Sequence, residues 1–152
     1  ELKYQKRTAL AKPLTKLLLE HLKLLGLNLS HYEFMPMPIH AARLRQRGFN
    51  QAELILRTLS QELALPMIAD ALIRVKNTPS QVTAASFEKR RENVKKSFAV
   101  KDQKLIAGRK IILVDDVVTS GSTFHEAIIT LKNAGAKKIL ALAVAGPSGQ
   151  MK

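Results

Sequence analysis

The chain has 152 residues, 46% of them hydrophobic and 24% charged, and 25 Lys and Arg against 12 Asp and Glu give a net charge of +13. That length and hydrophobic share fit one domain, residues 1–152, with a sizeable core, globular rather than disordered. The absence of Cys excludes a disulfide scaffold or a cysteine-ligated zinc site within it. No apolar run reaches the roughly 18 residues of a membrane span and no signal-peptide pattern opens the chain, so the cytoplasm is the expected compartment. The chain begins with Glu1 rather than Met, and a preceding N-terminal part is expected. The positive excess favours polyanionic partners: nucleic acid, phosphorylated metabolites or an anionic surface. It is clustered, with Arg43, Arg45 and Arg47 in one knot and Lys89, Arg90, Arg91, Lys95 and Lys96 in another.

In chain order, Thr8 to Leu25 is predicted as a helix burying Leu14, Leu17, Leu18, Leu22 and Leu25, with Pro13 tolerated near the first turn and Gly26 as the stop. Tyr32 to Met37 reads as a short extended run ended by Pro36 and Pro38. Ile39 to Asn50 reads as a basic loop. A helix is predicted from Gln51 to Ala64 with Ala52, Ile55, Leu56, Leu59 and Leu63 on one face. Ala71 to Val75 reads as a strand, Asn77 to Lys96 as a mobile loop with one helical segment, and Phe98 to Val100 as a short strand.

The most informative stretch follows. Ile111 to Val114 is a buried, β-branched strand ending in the acidic pair Asp115-Asp116. Thr119 to Thr123 is a loop of small and hydroxyl residues, and the next helix, Phe124 to Ala134, carries Phe124, Ala127, Ile128 and Leu131 on one face before Gly135 stops it. Lys137 to Ala145 makes another buried strand. Strands alternating with amphipathic helices imply βαβ units and a parallel sheet, with ligands at the carboxyl ends of the strands. The loops after Met37, Val75 and Val114 then gather on one edge, and both basic clusters surround the acidic pair.

Backbone N–H groups of the Thr119–Thr123 loop and the positive end of the following helix suit a phosphate, while carboxylates suit sugar hydroxyls. The loop hydroxyls also suit an ordinary helix cap, and the two acids a solvated turn. A phosphoacceptor acid pair would sit near the start of its chain rather than the end. No Gly-Lys-Ser/Thr follows the loop, so it is not a Walker loop. His21, His31, His40 and His125 are scattered without metal-ligand spacing and read as structural or surface residues.

Val114 to Thr123 resembles the phosphoribosyl pyrophosphate (PRPP) signature of type I phosphoribosyltransferases. The whole chain resembles the phosphoribosyltransferase domain of the ComF/GntX (ComFC-like) competence family. This second likeness rests on Leu2-Lys3-Tyr4, Pro36-Met37-Pro38, Arg47-Gly48-Phe49-Asn50-Gln51, Thr78-Pro79-Ser80-Gln81, Arg90, Asn93-Val94 and Phe98. It implies a three-layer, Rossmann-like α/β fold with a parallel sheet and a flexible lid over Thr78–Asn93. It also implies a cysteine-rich zinc-binding segment before this domain.

By the same resemblance, Asp115 and Asp116 hold the ribose 2′- and 3′-hydroxyls of PRPP directly or through Mg²⁺, and Thr119, Ser120, Gly121, Ser122 and Thr123 hold its 5′-phosphate. Arg47, Arg43 and Arg45 are candidates for the pyrophosphate, with Arg47 first because it lies in the family motif; Lys89 and Arg90 would reach it from the lid. The two acids and Arg47 form the expected catalytic set. A Leu expected near Ala84 is missing, and the Gln81–Asn93 spacing is one residue longer than the family pattern. Thr119 stands where 6-oxopurine salvage enzymes carry a base-contacting carboxylate, which argues against that chemistry. The implied activity is Mg²⁺-dependent transfer of ribose 5-phosphate to an unidentified acceptor, in the setting of DNA uptake during natural transformation. The alternative is a non-catalytic PRPP-sensing or single-stranded-DNA-binding accessory protein. Single-stranded DNA, competence-machinery proteins and a second copy of the chain are the implied partners.

Overall fold

The computed structural model describes residues 2–78 and 87–146, with side chains from residue 13 onward except at positions 87 and 90. In chain order its elements are α1 (Leu2–Leu24), β1 (Tyr32–Pro36), α2 (Ala41–Arg47), α3 (Gln51–Leu63) and β2 (Leu72–Arg74). They continue with α4 (Phe87–Val94), β3 (Phe98–Val100), β4 (Lys110–Val117), α5 (Ser122–Asn133) and β5 (Lys138–Ala145). The sheet is parallel, in the order β1-β4-β5, with Tyr32, Lys110 and Lys138 level at its amino edge.

Strand periodicity divides the core. Ile111 and Leu113 of β4 pack with Met35, Phe124, Ala127 and Leu131 on the α5 side. Ile112 and Val114 pack with Phe34, Ile55, Leu56, Leu59 and Leu18 on the side of α1 and α3. Because successive side chains point to opposite faces, a strand apolar at every position must be covered on both. The result is the expected three-layer α/β arrangement.

The differences from the sequence expectations have local causes. Helix α1 starts at Leu2, so Pro13 lies in its interior and not in its first turn. Thr15, Leu18 and Leu22, spaced i, i+3, i+7, form its buried stripe, whereas Leu17 and Leu25 are 64% and 51% exposed. Leu17 is rotated about 100° from Leu18, and Leu25 follows the end of the helix.

The expected loop from Ile39 to Asn50 contains α2, a short helix burying none of its residues, which is why it shows no apolar period. The run from Ala71 to Val75 does not join the parallel sheet: β2 pairs antiparallel with β3 in a separate sheet. The outer edge of β1 is already taken, since the Phe34 N–H donates to the Pro66 carbonyl and the Ile68 N–H to the Phe34 carbonyl. Helix α4 is the helical segment expected within Asn77–Lys96; most of the rest of the expected lid, residues 79–86, lies outside the described residues. No described helix is long and apolar enough to cross a membrane.

Candidate active site

Strand β4 continues through Val117, so Asp115 and Asp116 are strand residues at the carboxyl edge and not loop residues, with Asp115 opposite Ala143. Both are half-buried. Asp115 Oδ1 accepts the Asp116 N–H at 2.9 Å, and Asp116 Oδ1 accepts the Val117 N–H at 2.9 Å. Burial pushes the Asp115 carboxyl up to about 7, helped by the side chain and charge of Asp116; the Asp116 N–H and the charge of Arg74 act the other way. A half-buried acid with a raised pKa beside a second acid, on a strand rather than a solvated turn, is a candidate functional position.

The Thr119–Thr123 segment turns from β4 into α5. Gly121 adopts φ +72, a left-handed conformation that a Cβ disfavours, and its carbonyl accepts the His125 N–H to begin α5. Gly121, the N-cap, has no side chain with which to cap this helix. The Ser120 and Ser122 hydroxyls pair with each other at 2.9 Å, and Ser120 Oγ lies 3.4 Å from the Ser122 N–H. The N–H groups of Thr123 and Phe124 meet no acceptor among the described residues. Open N–H groups, hydroxyls and a helix dipole therefore face the same end.

Helix α2 divides the arginine knot. Arg43 and Arg47, one turn apart, share a face, and Arg45 lies on the opposite one. Arg43 is half-buried and donates to the Thr78 carbonyl at 3.2 Å; Arg45 and Arg47 are exposed. The stretch Arg47–Gln51 is a helix junction. Gly48 closes α2 with φ +80, and Asn50 caps α3 by accepting the Ala52 N–H while its amide donates to the Met37 carbonyl at 3.0 Å. That last bond ties the end of β1 to α3. His40 caps α2 through Nδ1, the structural role expected of it. Lys89 is exposed on α4; the side chain of Arg90 lies outside the described residues.

The residue missed from sequence is Arg74. It ends β2, donates to Thr78 Oγ1 at 2.6 Å and sits over the Phe98 ring at 5.6 Å. Burial holds its guanidinium below the ordinary arginine value, Arg43 adds to this, and Asp115 opposes it. Arg74 thus lies within electrostatic reach of both the other arginine and the central acid. A lone cation closing an apolar strand, just before a loop assigned to the site edge, was the available signal. The loop after Val75 does reach the site, although β2 is outside the main sheet.

Among the described residues no group of three or more His, Cys, Asp or Glu could hold a metal ion. Two carboxylates without a third donor fit Mg²⁺ as it is held with phosphate-bearing ligands, by one or two acids with waters and phosphate oxygens completing its shell.

An acid pair at a strand end thus lies near an open helix N-terminus and two guanidiniums that both bond Thr78. The chain belongs to the phosphoribosyl transferase domain family, whose model matches residues 46–152. Within that family its relatives include competence protein F of Haemophilus influenzae, 37% identical over 106 residues, covering 69% of this chain and 46% of that protein. DNA utilization protein YhgH of Escherichia coli strain K12 is 33% identical over 141 residues, covering 90% of this chain and 60% of that protein. The chain therefore spans about half of these relatives' length. An adenine phosphoribosyltransferase structure from Saccharomyces cerevisiae superposes with a TM-score of 0.56 at 16% identity, covering 91% of this chain and 69% of that one, which shows a shared fold.

Proposed function

We propose that this domain binds PRPP with Mg²⁺ and transfers its ribose 5-phosphate to an acceptor, releasing pyrophosphate, as part of handling incoming DNA. One observation carries the reading: the open N-terminus of α5, the Asp115-Asp116 pair and the Arg43-Arg74 pair meet at the carboxyl edge of the sheet. Each suits one part of the ligand.

The 5′-phosphate accepts from the Thr123 and Phe124 N–H groups and from the Ser120, Ser122 and Thr123 hydroxyls. The ribose hydroxyls donate to the two carboxylates. Arg43 and Arg74 meet the pyrophosphate, with Arg47 on the same face of α2 as Arg43; Lys89 and Arg90 stay proposed as further contacts from the lid on the family resemblance alone. Displacement at the anomeric carbon builds negative charge on the departing pyrophosphate, and preorganised guanidiniums stabilise that charge in the transition state. When bound, Mg²⁺ supplies further charge neutralisation on the phosphate oxygens. The names of the relatives, competence protein F and DNA utilization protein, support the setting in DNA uptake.

The net charge of +13 favours a second reading, in which the domain keeps PRPP binding as a sensor and serves as a nucleic-acid accessory. A pyrophosphate-release assay over a panel of acceptors separates the two. PRPP-dependent release that requires one acceptor and is lost in Arg43→Ala supports transfer; PRPP binding without release on any acceptor supports the accessory role.

A further inference from the structure

The amino edge of the sheet carries a second concentration of positive charge. A recess of about 660 Å³ there is lined by His31, Tyr32, Glu33, Arg109, Lys110 and Lys137, among others. Lys110 and Lys138 are register partners on adjacent strands, so their Cα atoms are about 4.8 Å apart. Lys137 and Lys138 are exposed and have no carboxylate partner among the described residues. The recess contains one acid, Glu33, and Arg109 neutralises it. Lys110 lies 5.7 Å from the ring of Tyr32, which is itself buried.

The chemistry of this edge selects among anions. The backbone donors beside the lysines are spent: the Gly108 N–H donates to the Gly135 carbonyl, and the N–H groups of Lys137 and Lys138 donate to the Arg109 carbonyl. These turns offer no nest for a small phosphate, and the free cations are lysines, flexible point charges rather than planar forks. Such a field matches an extended polyanion contacted along its backbone. It is also separate from the acid pair. Asp115 lies five positions along β4 from Lys110, about 17 Å away, which exceeds the roughly 8–10 Å over which exposed charges interact in physiological salt.

We propose that the amino edge of the sheet, through Lys110, Lys137 and Lys138, is a nucleic-acid docking surface that grips the phosphodiester backbone without reading bases and leaves the PRPP site open. This holds whether or not the PRPP site performs transfer. Binding of a fluorescein-labelled single-stranded 30-mer DNA, followed by anisotropy against salt, tests it. Lys137→Ala plus Lys138→Ala removes two phosphate contacts. The logarithmic salt slope should fall by about 1.4, and affinity at 0.1 M salt by roughly 25-fold. Lys16→Ala plus Lys23→Ala removes the same charge from exposed positions on α1 and should change affinity no more than about threefold. Saturating PRPP should leave the wild-type DNA curve unmoved. An equal loss in both double variants would assign binding to net charge alone and overturn the proposal. So would displacement of DNA by PRPP, absence of DNA binding, or lysine-dependent binding to phosphatidylserine vesicles but not to DNA. Calorimetry with PRPP on the Lys137/Lys138 variant should match the wild type, which keeps this result apart from any failure of the PRPP reading.

Discussion

Replacing Asp115 with Asn removes the charge that the fold most disfavours, and the effect on stability depends on pH. In the native state the carboxyl is pushed from 3.8 to about 7, first by burial and then by Asp116. Between about pH 4 and 7 the folded protein therefore keeps a proton that the unfolded chain has released, and stability falls as pH rises through that window. About three units at 1.4 kcal/mol each set a ceiling of roughly 4 kcal/mol, and structural relaxation and water entry reduce this to ~2 kcal/mol. Asn keeps the shape and carries no charge. Asp115→Asn should equal the wild type in stability near pH 4 and exceed it by ~2 kcal/mol at pH 8, measured by urea unfolding at both pH values. Comparing the two proteins at each pH removes the background of the other titrating groups. A gain of the same size at both, or a variant less stable at pH 8, would refute a desolvated Asp115.

The remaining predictions concern ligand and scaffold. If PRPP binds with Asp115 ionised, binding at pH 7 should release about half a proton, seen as a dependence of calorimetric heat on buffer ionisation enthalpy; no buffer dependence would contradict it. Arg74→Ala should weaken PRPP and pyrophosphate by roughly 10- to 100-fold, as loss of a charged hydrogen bond does, and leave ribose 5-phosphate nearly unchanged in competition assays. Asn50→Ala removes both the α3 cap and the tether to Met37, and should cost about 1–2 kcal/mol in urea unfolding without changing the pH profile. Gly121→Ala forces a Cβ into φ +72 and should cost about 1 kcal/mol while lowering affinity for ribose 5-phosphate.

How far the fold was legible varies by element and for physical reasons. The β4–α5 unit was readable because its signals are local: an apolar strand, two acids, a small-residue loop and a helical stripe all lie within Ile111–Leu131. Helix α3 was equally plain, since Ala52, Ile55, Leu56 and Leu59 repeat at helical spacing and all four are buried. Helix α2 was hidden because it fully buries none of its residues and so shows no apolar period; its ends are set by the caps His40 and Gly48. The pairing of β2 with β3 depends on Pro66–Ile68 occupying the edge of β1, a tertiary competition with no mark in the residues of β2. Arg74 was obscured likewise, since its partners Thr78, Phe98 and Arg43 come from three other segments. The motif Arg47–Gln51 pointed to the right family, while its glycine and asparagine prove to be helix caps; its arginine shares a face with Arg43, which turns the expected trio into a pair with Arg45 opposite.

The central claim is that the acid pair and the α5 N-terminus form a PRPP site. Isothermal calorimetry with PRPP and Mg²⁺ on the wild type and on Asp115→Asn plus Asp116→Asn tests it most directly, because the uncharged variant should remain folded. A saturable heat in the wild type that disappears in the variant is the predicted result. No heat with the wild type, or equal heats in both, would contradict the assignment.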